Sequence, residues 1–269
     1  GIVPRDFMKG TPALTLILVS IAAEAGAWPA EAILAMIRDA RRLVPRSLSR
    51  LIADRESLIL EETQRFPEPL ARAVAQDLSS GAFQPETLAA LEAHAAGAAD
   101  LLRHQQVSEG VVRLGATLRI PADLSDPALT GGPEGYPAGV VREYYAFLGA
   151  NLDKIPVVLD DPKALTLSSR DLPAYWESLL HRSQDQAGII RSELFQKGRL
   201  VDHHALDYRS PLFSVASLSY SRAVTAIAAT WLALWRQAHG DVTRMRPPRE
   251  IEPRDTGPVE SPQPHEARP

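Results

Sequence analysis

The chain has 269 residues, 45% hydrophobic, 23% charged and 6% aromatic, with a formal net charge of −4. That is enough apolar material for a sizeable core in one large domain or two small ones, and the near-neutral balance provides no bulk basic surface for capturing nucleic acid. The absence of cysteine excludes a disulfide framework, a thiolate metal site and a cysteine nucleophile.

The first recognisable segment is an export pattern. Met8-Lys9 precedes the apolar run Ala13 to Ala23, and Ala25-Gly26-Ala27 supplies a small-x-small ending. A basic start, a short apolar stretch and such an ending make a secretory signal peptide over 8–27, cut before Trp28. The apolar run is too short for a permanent membrane anchor. The expected destination is periplasmic or extracellular.

From Trp28 onward the periodicity is helical. Ile33, Ile37 and Ala40 follow Pro29 at helical spacing. Leu48, Leu51, Ile52, Leu58 and Ile59 form a second segment, and Leu70, Val74 and Leu78 a third that stops at Gly81. Pro85 opens a fourth through Leu102, and Val107 to Leu118 is a fifth that Pro121 must kink or end. Residues 121 to 138 read as a long loop. Val141, Tyr144, Tyr145, Leu148 and Leu152 resume the helical stripe, and Ile155 to Leu159 is a short extended piece with no evident partner strand. Asp171 is placed to cap a long helix running through Trp176, Leu180, Ser183, Ala187, Ile190 and Leu194 to Gly198.

Ser210-Pro211 opens the last helix, apolar or small on nearly all sides as far as Gly240. Arg222 interrupts it, so a core helix surrounded by others is favoured over a transmembrane anchor. Beyond it the chain is charged and rich in proline, a composition that cannot bury enough surface to order itself. The expected organisation is a signal peptide at 8–27, one all-α domain at 28–240 and a disordered tail at 241–269.

The stretch from Leu114 to Leu129, LGATLRIPADLSDPAL, carries a family resemblance. It resembles a segment of the exported, all-helical superfamily of zinc-dependent phospholipase C and single-strand nuclease. Leu114-Gly115 fits the family's leucine-glycine pair, Asp123 its aspartate and Pro127 its proline. Trp28 fits the tryptophan that begins the family's mature chain and binds zinc through its amine and carbonyl. Ala216 to Trp235 resembles the family's C-terminal core helix. The pattern's two histidines are Arg119 and Leu129 here, Tyr144 to Gly149 lacks the family's histidine and carboxylate four apart, and residues 30–43 contain no histidine.

The resemblance therefore implies a phospholipase C-like fold whose zinc chemistry is mostly missing. Its family-position residues are Trp28, Arg119 and Asp123. Arg119 and Asp123, four apart, share a helix face where the helix is continuous: either a guanidinium has taken the place of a metal, or the two form an ordinary exposed ion pair. Three functions follow. One is a secreted zinc-dependent phosphodiester hydrolase; the second is a descendant without metals that binds a lipid or envelope component; the third is an unrelated helical structural protein. Absent ligands favour the second.

Other candidate ligands lie elsewhere. His203, His204 and Asp207, with Asp202, form the densest cluster, immediately before the core helix. Adjacent side chains diverge on a regular element, so this cluster needs a loop to converge on a metal. His181 and Asp185 have ligand spacing but point away from the apolar stripe. His104 reads as a solvated helix-end residue, and His94 as an inward-facing one. Gly131-Gly132-Pro133-Glu134-Gly135 lacks the lysine and strand of a phosphate loop.

Overall fold

The computed structural model describes residues 28–131 and 135–243. The expected signal peptide, almost all of the expected tail and residues 132–134 of the glycine-rich loop lie outside the described residues. Within them the fold is all-α apart from one small hairpin, and a single hydrophobic cluster runs from Trp28 to Trp235, with Val242 packed against it.

The first helix, α1 (Ala30–Ala40), buries Ile33, Ile37 and Ala40 as the spacing requires, together with Met36. The second apolar segment is two helices, α2 (Arg46–Ala53) and α3 (Glu56–Thr63), because the chain leaves helical geometry at Arg55. Leu48, Ile52 and Ile59 face the core, while Leu58 stays exposed. Next comes α4 (Glu68–Ser80), which stops where Gly81 takes a left-handed φ of 86°. It is followed by α5 (Pro85–Arg103), α6 (Val107–Ala116) and α7 (Arg119–Leu124).

Pro121 does not end a helix. The break falls earlier, after Ala116, and Pro121 sits in the first turn of α7, where its missing N–H has no intrahelical acceptor to lose. Nor is the expected loop solvated throughout. Ser125, Asp126, Pro127, Ala128 and Thr130 are buried, forming a compact turn between α7 and the next helix, α8 (Val140–Asn151).

The extended piece after α8 finds its partner in side chains rather than in a strand. Ser221 Oγ accepts from Val158 N at 3.1 Å and donates to the Pro156 carbonyl at 3.1 Å, and Thr225 Oγ1 accepts from Asp160 N at 3.2 Å. Asp171 does not cap the following α-helix. It closes a capping box with Ser168 across a short 3-10 turn, directly before α9 (Leu172–Gln184). The expected long helix is split at Asp185-Gln186 into α9 and α10 (Ala187–Leu194), yet all six residues of its stripe are buried. A hairpin of β1 (Phe195–Gln196) and β2 (Arg199–Leu200) follows, turning through Lys197 and Gly198, both at positive φ.

The last helix, α11 (Pro211–Gln237), starts where Ser210 Oγ accepts from Phe213 N. It is the one helix among the described residues long and apolar enough to cross a membrane, and most of it is enclosed by protein. Several of its polar groups find partners inside, while Ser217 Oγ and Arg222 Nε are buried without a hydrogen bond among the described residues. Trp231 Nε1 donates to the Gly115 carbonyl at 3.2 Å, and Tyr220 Oη to Asp39 Oδ2 at 2.9 Å. Arg222, only 5% exposed, donates to the Arg182 carbonyl at 3.1 Å and lies 3.5 Å from Asp160. Burial holds its guanidinium below the usual pKa. Packing continues past Gly240, since the Asp241 carbonyl accepts from both Trp235 Nε1 and Ser47 Oγ.

Gly115 shows why the leucine-glycine pair suits this place. A Cβ there would come within 2.5 Å of Ile59 on α3, so a glycine lets α6 approach α3 and reach Trp231. Gly97 on α5 has nothing within 4 Å of the same position. Gly115→Ala should therefore lose about 1–2 kcal/mol net of its better helix propensity, and Gly97→Ala should gain up to about 1 kcal/mol, both measured by urea denaturation.

Candidate functional site

Trp28 and the pair Arg119 and Asp123, distant from it in the chain, meet at one place. Trp28, just ahead of α1, is buried, and its Nε1 donates to the Ala122 carbonyl on α7 at 2.8 Å, a contact across 94 positions. Arg119 opens α7 and Asp123 lies one turn later. Arg119 Nε donates to Asp123 Oδ2 at 2.5 Å, with side chains 30% and 14% exposed. The helix break after Ala116 makes this pairing possible: with Pro121 in the first turn, α7 is regular between the two residues, as their spacing requires.

Two cavities flank the pair, and Arg119 and Asp123 line both. One, of about 140 Å³, is walled by Trp28, Ile33 and Leu60, with Thr63 and Gln64 as further polar groups. The other, of about 110 Å³, is apolar, walled by Phe66, Leu78, Leu91, Leu124 and Leu129 among others. Leu129 is thus in the wall of the site. Asp123 Oδ1 is buried and has no hydrogen-bond partner among the described residues.

The electrostatics involve a residue that the sequence reading missed. Asp126, fully buried in the turn after α7, accepts from Ala128 N at 2.9 Å and from Tyr145 Oη on α8 at 2.7 Å. Its carbonyl accepts from Thr130 Oγ1, which donates its own proton either there or to Ser183 Oγ on α9, 2.9 Å away. Ser-Asp-Pro is an ordinary turn signal, and only the tertiary contact with Tyr145 reveals that the carboxyl is internal. Burial pushes Asp126 up to about 7 against the pull of the Tyr145 and Ala128 hydrogen bonds, and the Asp123 charge adds to the rise. Asp123 is itself raised by burial, which outweighs the attraction of Arg119, while Arg119 is raised chiefly by the Asp123 charge. The Arg119 guanidinium thus pairs with Asp123, while the Asp126 carboxyl is held by Tyr145 and Ala128.

This donor set does not fit a zinc cluster. Zinc takes three or four N, O or S donors at about 2.0–2.3 Å. The cavity walls offer one carboxylate and no imidazole, and the carboxylate already carries a guanidinium, whose charge repels a divalent cation.

The remaining candidates are dispersed. His181 and Asp185 are exposed, as their facing predicts. His104 is exposed at the end of α5, its Nδ1 2.8 Å from the Asp100 carbonyl. His94 packs edge-on against Phe66 with ring centroids 5.0 Å apart, and burial lowers its pKa. His203 and His204 lie on a short 3-10 turn with Asp202 as its N-cap. Asp207 turns the chain locally, accepting from Arg209 N at 2.8 Å. Glu143, on the first turn of α8, also escaped the sequence reading. It accepts from His203 N at 3.2 Å and lies 2.8 Å from His203 Nδ1, and these bonds hold its carboxyl below the usual range.

Comparison of the chain with family models, curated proteins and solved structures found no match.

Because folded Asp126 keeps its proton to about pH 7 while an unfolded aspartate releases it near 3.9, the folded state binds more protons in between. Stability attributable to Asp126 is therefore full below about pH 4 and falls as pH rises towards 7. Asp126→Asn, which stays neutral, should shrink the loss of unfolding free energy between pH 5 and pH 8 by a few kcal/mol at most. Urea denaturation at the two pH values measures this, and an unchanged difference would count against it.

Proposed function

We propose that the chain is an exported helical protein of phospholipase C/nuclease-like architecture that has exchanged metal donors for Arg119 and Leu129. It acts by binding an amphiphilic lipid or other envelope component rather than by hydrolysis. The observation that carries this reading is the convergence of Trp28, Arg119 and Asp123 on one cavity, with Leu129 beyond the pair on the other.

The chemistry suits an amphiphile. An apolar cavity takes a short hydrocarbon segment, with a gain of roughly 25 cal/mol per Å² of apolar surface removed from water. The neighbouring ion pair and the free Asp123 Oδ1 meet a polar head at its edge. A hydroxide-generating zinc site needs ligands that these walls do not supply. The long apolar helix is enclosed by protein, so lipid contact in this reading is made at the cavities.

The test is a titration of a short-chain phosphatidylcholine below its micellar concentration, followed by calorimetry and, with zinc added, by release of soluble phosphocholine. Saturable binding without turnover is expected, weakened at least tenfold by Leu129→Asp, which places a charge in the apolar wall. Zinc-dependent turnover would contradict the non-catalytic reading, and the absence of saturable binding would contradict lipid as the ligand.

A further inference from the structure

A second cluster lies on the connector that leads into α11, and the Arg119–Asp123 site makes no use of it. Adjacent histidines on a regular element point apart, but the 3-10 turn His203–Ala205 brings these two together. Their ring centroids are 4.0 Å apart with planes at 36°. Asp202 N-caps the turn, its Oδ1 accepting from His204 N at 2.9 Å, and it also lies 3.6 Å from His203 Nδ1. One nitrogen from each ring and one carboxylate oxygen of Asp202 lie within 4.8 Å of one another.

Glu143 makes this more than a surface cluster. It comes from α8, 60 positions earlier, and its Oε2 engages both the backbone N and Nδ1 of His203. Its other oxygen faces Arg142 at 3.3 Å. In the tautomer with its proton on Nδ1, His203 donates to Glu143, which orients the ring and leaves the Nε2 lone pair for a ligand, as the outer partners of metal-binding histidines do.

We propose that Asp202, His203 and His204 form a binding site for one divalent transition-metal ion, with Glu143 as the positioning carboxylate. Two imidazoles and a carboxylate select zinc, nickel or copper over magnesium or calcium, which take oxygen donors. Tetrahedral bonds of about 2.0–2.1 Å place donors roughly 3.4 Å apart, so the three groups, within 4.8 Å of one another, need to close by up to about 1.4 Å. Asp202 and His204 are exposed and have room to do so. Solvent fills the remaining positions. The ion fastens the connector beside α8, since Glu143 already ties His203 to that helix. Asp207, used in its own turn, is not a ligand.

The full chain titrated with zinc chloride, and separately with nickel chloride, at pH 7.5 in a calorimeter should show one saturable site. His203→Ala and His204→Ala should each weaken it at least tenfold, and Glu143→Gln by about 10–100-fold. Asp207→Asn and His181→Ala should leave it unchanged. Zinc should also raise the thermal midpoint of the parent chain but not of His204→Ala, a substitution at an exposed residue that leaves the core intact. Absence of saturable binding in the parent, or affinity that survives His204→Ala, would overturn the site. Unchanged affinity in Glu143→Gln would overturn the positioning role. None of these outcomes depends on what the Arg119–Asp123 cavities bind.

Discussion

A helix of 27 residues that is apolar or small on nearly all sides, and buried from Ser219 to Trp235, cannot stand at a protein surface, and the fold is organised around covering it. No single neighbour does so. Helices α1 and α7 and the 3-10 turn Pro162–Thr166 supply the largest contacts, with α10 and α5 on other sides. Small residues permit the close approach: Ala216, Ala223, Ala226, Ala228, Ala229 and Ala233 are all buried along α11. The same enclosure fixes the rest of the molecule, because Trp231 reaches the backbone of α6 and α7 packs directly on α11.

Enclosure has a polar cost. Hydroxyls, indoles and a guanidinium on α11 leave water and need partners. Ser221 and Thr225 meet theirs by carrying the extended 155–160 segment, which otherwise lacks a strand to pair with. Arg222 meets its own in part: it donates to the Arg182 carbonyl and lies 3.5 Å from the Asp160 carboxylate, while its Nε makes no hydrogen bond among the described residues. The short segment is thus held by hydroxyls of α11, and it brings the Asp160 carboxylate beside the buried guanidinium.

Helices and their inward stripes were legible because 3.6-residue periodicity is local. Trp176 through Leu194 kept its stripe even though the helix breaks at Asp185-Gln186. Breaks were less legible: no proline or glycine marks the change of direction at Arg55, and Pro121 suggested a stop where it begins a helix. Trp28, Arg119 and Asp123 were recognised from a pattern, and the fold brings them together. Asp126 and Glu143 were missed because their importance comes from partners distant in the chain, Tyr145 and His203. An acidic residue in a turn or on a first helical turn gives no local sign that it is buried or paired.

Arg119 and Asp123 pair in the wall that the two cavities share, and the strength of that pair separates a partly buried unit from an incidental surface contact. Exposed pairs couple by about 0–1 kcal/mol, whereas breaking a fully buried one costs about 3–5 kcal/mol. With side chains 30% and 14% exposed, an intermediate value is expected. The direct measurement is a double-mutant cycle of Arg119→Ala and Asp123→Asn by urea denaturation at pH 7. A coupling of about 1–3 kcal/mol is expected, with Arg119→Ala the more damaging single change because it strands a carboxylate. A coupling within about 0.3 kcal/mol of zero would contradict it.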